Sequence, residues 1–343
     1  MPDQKRKWRR YSPRHFKILD CDDAADAHVI GENNREFERY HSGVGEDSAL
    51  INGFSPRECP KCGSTSTESK GRNGNGAQIR RCLSCRHVWT LSENTLLSRH
   101  KLPIAALSKF LVNILTWSSV SEACKAAKIS MKTGLYWLQK VFLALRGYQG
   151  GLVLAGTVYL DDKYIDVEAS KKALSKRGSL QLGANQWNVA IGKAGATRVL
   201  ILQGKSRSSE KRLLKTWSGR IARGSLIVTD GDKAYGLLAR ESGCSWKSVK
   251  FTYRHGAQCP ELQPINTLAS NVERWFQIHS GVSKEPERIQ DYLNLLAFTL
   301  NRRENALRKA SAIIKMMMKS KQILRYRQKK SEEQPKTSPL VCS

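Results

Sequence analysis

No stretch of this sequence approaches the roughly 18 consecutive apolar residues of a membrane-spanning helix, which excludes a span of that kind. The basic start, MPDQKRKWRRYSPRHF, has no apolar segment behind it, so a secretory signal is not expected. Internal repeats are absent, and no basic amphipathic helix stands out to suggest a membrane surface. Acidic residues are scarce: 30 Asp plus Glu stand against 58 Lys plus Arg, a formal net charge of +28. Self-repulsion on that scale points to a polyanionic partner, bound tightly at low salt and released steeply as salt rises. The nine cysteines are odd in number and mostly scattered, which argues against a disulfide framework and for a reducing compartment. What is present in ordinary measure is apolar content, 40% of 343 residues. That is enough for two or three packed domains and excludes wholesale disorder.

The chain reads as five segments. Residues 1–55 form a polar extension, 56–93 carry paired cysteines, and 94–149 turn helical, with Leu107, Phe110, Leu111 and Ile114 three and four apart. From 150 to 305 the texture is β-rich and then alternating. Strands are predicted at 157–168, 186–192, 197–202, 225–229 and near 247–253. Helices are predicted at 208–222, from Lys233, near 270–280 and at 286–305. This order implies an α/β unit, a mixed sheet with helices on its faces. Residues 306–343 read as a basic tail, a helix that frays.

Two motifs lie before the β-rich segment. ECPKCG and RCLSCR place Cys59 and Cys62, then Cys82 and Cys85, with nineteen residues between the pairs. Two such knuckles joined by a hairpin supply the four thiolates of a tetrahedral zinc site, structural because no position stays open. Arg72, Arg80, Arg81, Arg86 and His87 decorate this zinc ribbon in a way that suits phosphate contact. Residues 119–141 then read as a helix-turn-helix, with Ala123 and Ala127 at the crossing, Ile129 in the turn and Ser130 as N-cap. Leu135, Leu138 and Val141 are expected to face inward. Lys132, Thr133, Tyr136, Gln139 and Lys140 are expected to face outward, where a DNA groove would meet them. Gly134 counts against the second helix by about 1 kcal/mol of propensity.

Three acidic positions stand out by context: Asp161 with Asp162 inside an apolar strand, Asp230 directly after one, and Glu273 on a Trp/Phe-containing helix. Carboxylates at strand ends and on a neighbouring helix suit magnesium, a hard cation that takes oxygen ligands. Other roles are open to each. Asp230 before Gly231 could be a turn residue or N-cap, Ser270 and Glu273 match a capping box, and Asp161 or Asp162 could pair with an arginine. Strand alternation does not choose between Asp161 and Asp162, since one points to each face.

Taken together and in order, these segments resemble the insertion-sequence transposases that join a zinc ribbon to an ISXO-like DDE core, relatives of the eukaryotic Merlin elements. The resemblance runs from about Cys59 to Arg303. VYLDDKYI resembles the strand that bears the first metal-binding Asp and assigns that role to Asp161. SLIVTDGDKAY assigns the second to Asp230, and NVERWF the third to Glu273. DYLNLLAFTLNRREN resembles the closing helix. The resemblance implies a ribonuclease-H-like core that uses two Mg2+ or Mn2+ ions, beside the structural Zn2+. It also implies terminal inverted repeats and target DNA as partners, action as a homodimer or higher oligomer, and location at the nucleoid or in a nucleus. The chain departs from the pattern at Ser270, Ser280 and Asp162, which motivates an alternative: a domesticated DNA-binding regulator with an inactive core. A structure-selective nuclease is a third reading.

Overall fold

In the computed structural model, residues 52–53, 58–73, 77–98, 102, 104–165, 186–205, 209–249, 259–279 and 285–324 are described. The expectations for 1–51, the hairpin tip at 74–76, Ser280 and the end of the tail lie outside them. The chain divides into two compact units. One comprises the described residues of Phe37–Val112 with Val120–Gly147 and those from Leu307 onward. The other comprises Asn113–Ser119 and the described residues of Tyr148–Ala306.

The first unit opens with a three-stranded antiparallel sheet, β1 (Thr67–Arg72), β2 (Gln78–Cys82) and β3 (Val88–Thr90), in the order β1-β2-β3. Helix α1 (Ile104–Leu115) follows, and Leu107, Phe110 and Leu111 are fully buried along the stripe that their spacing predicts. Helices α2 (Val120–Ala126) and α3 (Met131–Leu145) form the helix pair. α2 ends at Ala126, Lys128 turns the chain with a φ of 54°, and Ile129 N–H closes back on the Cys124 carbonyl at 3.0 Å. Ser130 caps α3, its hydroxyl accepting from Thr133 N–H at 3.2 Å.

Gly134 has a reason to be glycine that propensity does not show. A Cβ there would lie 2.2 Å from Cys124 Sγ and 3.2 Å from Phe110, so α1, α2 and α3 meet at this residue. The same unit contains α8 (Ala306–Lys319), whose Ile313, Ile314 and Met317 are fully buried. Leu96 N–H donates to the Met317 carbonyl at 3.2 Å, so the segment read as a fraying tail is an integral helix.

The second unit is a mixed α/β fold. Five strands, β4 (Thr157–Ile165), β5 (Trp187–Ala194), β6 (Thr197–Lys205), β7 (Leu226–Thr229) and β8 (Ser245–Ser248), lie in the order β6-β5-β4-β7-β8. β4, β5 and β6 run antiparallel in sequence, and β7 and β8 are parallel to β4. Between them come α4 (Glu210–Trp217) and α5 (Lys233–Glu241), and after them α6 (Gln263–Ile278) and α7 (Pro286–Asn301).

Residues two apart on a strand share a face. Val158 and Leu160 of β4, with Ala190 and Val199, pack against Leu213 and Trp217 of α4 and Tyr235 and Leu238 of α5. The opposite set, including Val189, Ile191 and Leu200, is equally buried. Since α6 contacts β4 and β5 while α7 contacts β6, those two helices cover that face. The sheet is therefore a central layer between two pairs of helices.

Gly134→Ala tests the helix crossing. Helix propensity alone favours alanine by about 1 kcal/mol, whereas overpacking at Cys124 costs roughly 1–3 kcal/mol. A lower midpoint in denaturant melts is expected, and a higher one would mean that the crossing gives way freely.

Candidate metal centres and acidic site

The two Cys-x2-Cys turns are built alike. Gly63 N–H donates to the Cys59 carbonyl at 2.9 Å, and Arg86 N–H donates to the Cys82 carbonyl at 3.0 Å. The residue after each second cysteine has positive φ, 72° at Gly63 and 60° at Arg86. Glycine takes that conformation without strain, and arginine does not. β1 and β2 join the two turns, pairing Thr67 opposite Cys82 and Glu68 opposite Arg81.

All four Sγ atoms lie within 4.8 Å of one another. Cys59–Cys85 and Cys62–Cys82 are each separated by 3.6 Å, too far for a disulfide and close to the ~3.8 Å edge of a tetrahedron with Zn–S near 2.3 Å. The amides of Lys61 and Cys85 point at Cys59 and Cys82 Sγ at 3.4 and 3.5 Å. The Cys85 amide is the main cause that lowers the Cys82 thiol to about 6. Four converging sulfurs at these separations fit zinc, and the cluster is compatible with a zinc ribbon.

Of the surrounding cations, Arg81 pairs with Glu68, Arg80 donates to Thr67 Oγ1 at 2.9 Å, and His87 lies 2.9 Å from Glu93. Arg72 and Arg86 stay exposed.

The predicted outward face of α3 requires correction. Lys132 is exposed and Thr133 half-buried, but Gln139 and Lys140 are buried, Lys140 at 1% exposure. Tyr136 donates its hydroxyl to the Leu324 carbonyl at 2.6 Å, and the Lys140 ammonium sits 4.7 Å from the centre of the Tyr136 ring. Burial lowers that ammonium to about 8. Conversely, Leu135, expected inside, is 39% exposed, and Met131 is 47% exposed. The exposed surface of α3 is thus its first two turns, more apolar than the sequence suggested.

In the second unit, β4 presents Asp161 to the face that α6 and α7 cover and Asp162 to the other, as their cross-strand partners Ile191 and Ala190 show. β4 and β7 are in parallel register from Thr157–Leu226 to Tyr159–Val228, and continuing it sets Asp230 level with Asp161. Asp230 is exposed, and its charge reaches Asp161. Burial first, and then the charges of Asp230 and Asp162, push the Asp161 carboxyl up to about 6, although Asp162 N–H donates to Asp161 Oδ1 at 2.8 Å.

Glu273 lies mid-way along α6, exposed, with Oε2 2.7 Å from Lys163 Nζ. Lys163 stands two residues beyond Asp161 on the same face of β4, so Glu273 reaches the strand beside Asp161 through that ion pair. Among the described residues, the four cysteines form the one group of three or more His, Cys, Asp or Glu whose ligand atoms converge. The structure brings Asp161 and Asp230 together, whereas Glu273 meets Lys163.

Two of the alternative roles fall away. Ser270 is an interior residue of α6, its hydroxyl donating to the Asn266 carbonyl at 3.0 Å, so no capping box forms with Glu273. The N-cap of α5 is Asp232, whose Oδ1 accepts from Ala234 N–H at 3.0 Å, not Asp230.

Residues 153–301 match the family model of the ISXO2-like transposase domain. No curated protein matches the chain. The family match supports a DDE insertion-sequence transposase, the family that the motifs resemble, and with it a transposase function in general and DNA as substrate. No helix among the described residues is long and apolar enough to cross a membrane.

Removing zinc with a thiol-competent chelator, or substituting Cys62→Ser, is expected to unfold the β1–β3 module. The loss should appear as vanished amide dispersion for Thr67–Thr90 with the β4–β8 resonances retained. A second expectation follows from Asp161. Its proton is held more tightly in the fold than an ordinary aspartic acid holds it, so the charged form costs stability above about pH 6 and costs nothing below pH 4. In magnesium-free buffer Asp161→Asn should raise stability at pH 7.5 by about 1–2 kcal/mol and leave it unchanged at pH 3.5. A gain of equal size at both values would assign the effect to packing instead.

Proposed function

We propose that this chain is a DNA transposase that binds the terminal inverted repeats of its element, cleaves at their ends and transfers the freed strands to target DNA. The observation that carries this reading is the nearness of Asp161 to Asp230, a dehydrated and an exposed carboxylate whose charges act on each other, inside a segment that matches a transposase domain. A strand order of β6-β5-β4-β7-β8, with β4 central and acidic, supports a ribonuclease-H-like core.

On this reading Asp161, Asp230 and Glu273 hold two Mg2+ or Mn2+ ions, which when bound supply a polarised attacking oxygen and charge neutralisation at the leaving oxygen. Asp161 is fixed by its strand and by the Asp162 amide, and it enters the site ionised only where positive charge offsets its desolvation. Asp230 sits on a turn that Gly231, at φ 106°, alone makes accessible, with Ser248 Oγ 2.8 Å from where a Cβ would stand. Glu273 must exchange Lys163 for the metal side of the site, and Lys163 is then free to meet a phosphate oxygen. The DDE core does little covalent work itself; it positions metal and phosphates.

The zinc-bearing unit recognises the ends through Lys132, Thr133 and the exposed first turns of α3, together with Arg72 and Arg86. Tyr136, Gln139 and Lys140 support that helix from behind. The segments 56–93, 94–149 and 150–305 then act as ribbon, helix-turn-helix and catalytic core. Two ends must be joined, so the acting species is a dimer or larger.

The test uses the purified full chain, a labelled duplex that carries its terminal repeat, and a target plasmid, with and without Mg2+ or Mn2+. Metal-dependent joining of the 3′ end is expected, reduced at least about 10²-fold in Asp161→Asn, Asp230→Asn and Glu273→Gln. Joining that persists in Asp230→Asn would sink the catalytic assignment. Specific binding with neither cleavage nor joining would move the chain to the regulator reading, and cleavage of branched DNA without joining to the nuclease reading.

A further inference from the structure

The face of the sheet beneath α4 and α5 carries a second group of oxygens that the catalytic reading does not use. Asp162 Oδ2 accepts from Asn188 Nδ2 at 3.2 Å. Asp162 Oδ1, Asn188 Oδ1 and the Tyr235 hydroxyl are all buried without a hydrogen-bond partner. Asn188 is 0% exposed and Tyr235 4%.

The register and the packing place the three residues on one face of the sheet, at neighbouring positions. Asp162 lies opposite Ala190, and Asn188 is the next residue along on that face of β5. Tyr235 stands in the first turn of α5 and packs with Leu160 and Ala190 of the same face. Its hydroxyl is directed at the Asp162 carboxylate without closing a hydrogen bond to it, and the charges of Asp230 and Asp232 also act there.

Buried polar atoms are rarely left without a partner, and a carboxylate oxygen with two more from its neighbours calls for a common one. All three are oxygens, the donor type of hard cations, and the surrounding potential is negative. The neighbouring cation on β4, Lys163, is committed to the other face through Glu273.

We propose that Asp162, Asn188 and Tyr235 form a buried, oxygen-lined site for a hard metal cation, on the opposite side of the sheet from Asp161 and Glu273. The carboxylate supplies the charge, and the amide and phenol supply neutral oxygens. A cation bound there ties β5 and α5 to the end of β4. Because the turn carrying Asp230 leads directly into α5, it also holds that turn in place.

The experiment uses the full, zinc-loaded chain carrying Asp161→Asn, Asp230→Asn and Glu273→Gln, so that its outcome is independent of strand transfer and of the acids on the other face. Thermal unfolding is followed in metal-stripped buffer as MgCl2, MnCl2, NaCl or KCl is added, with tetramethylammonium chloride holding ionic strength constant. A saturable rise in Tm of several degrees is expected with at least one cation. That rise should be lost in Asp162→Asn and weakened at least tenfold in apparent affinity by Asn188→Ala or Tyr235→Phe. The separate salts distinguish a monovalent from a divalent ion. Should Asp162→Asn fail to fold, the other two substitutions decide. No rise beyond that of tetramethylammonium, as a site filled by water alone would give, overturns the proposal. A rise that survives the substitutions overturns it equally.

Discussion

The second unit depends on one constraint: its central strand must carry two adjacent carboxylates into a position that packing has dehydrated. Strand β4 is apolar up to Leu160, and Val158 and Leu160 are at most 1% exposed. Asp161 and Asp162 follow at once, one to each face. A charge taken out of water costs several kcal/mol unless it is paired or bound, so apolar contact around the pair has to exceed that cost. It does so by close packing. Trp217 and Leu154 press on Gly192 so tightly that a Cβ there would stand 2.5 and 2.8 Å from them. Glycine is required at Gly192 because of what stands over it, much as Gly134 is in the helix pair.

Local patterns were legible in the sequence wherever the relevant partner was local. The cysteine spacing led directly to a cluster whose sulfur separations fit zinc. The 3.6-residue stripe of Leu107, Phe110, Leu111 and Ile114 marked a buried helix, and each is fully buried. Strand starts were placed to within a residue or two, and β5, buried on both faces, is the case in which an apolar run marks the strand. The open choice between Asp161 and Asp162 was open for a physical reason as well: period-two alternation gives opposite faces but does not say which helices cover each. The packing of α6 against β4 and β5 supplies that information.

Where the partner was distant, the sequence misled. Tyr136 and Lys140 look solvated because they are polar, yet the group that Tyr136 bonds to is the Leu324 carbonyl, 188 residues away. Lysine tolerates such a place by laying its stem along apolar surface and its ammonium over an aromatic ring. Helix α8 misled in the same way. Its Lys and Arg content suggested a solvated tail, but Ile313, Ile314 and Met317 form a stripe at helical spacing that fills the unit containing the cysteine cluster. The pairing of Ser270 with Glu273 was a false signal, because a capping-box pattern has meaning only where a helix begins, and α6 begins seven residues earlier.

Charge gives the cysteine cluster and the acidic site different logic. The cysteine cluster is closed: four ligands surround one spot, and metal bound there holds a fold together. The acids at the end of β4 are open, and Asp161, Asp162, Asp230 and Asp232 together make a negative spot, felt at Tyr235, in a chain of net charge +28. On the proposed reading a polyanion is drawn to the molecule as a whole yet repelled where these acids gather. Opposite signs at long and short range make a selective arrangement on the proposed reading. Phosphodiester approaches those carboxylates favourably only when divalent cations stand between them, so DNA and metal bind with mutual reinforcement. Lys163 marks how the resting molecule limits the repulsion, since it neutralises Glu273 beside Asp161 and would be released as metal takes over that charge. If the three acids form a metal site as proposed, the Lys163–Glu273 pair makes it less costly to fold than a bare triad and sets a threshold that metal binding has to exceed.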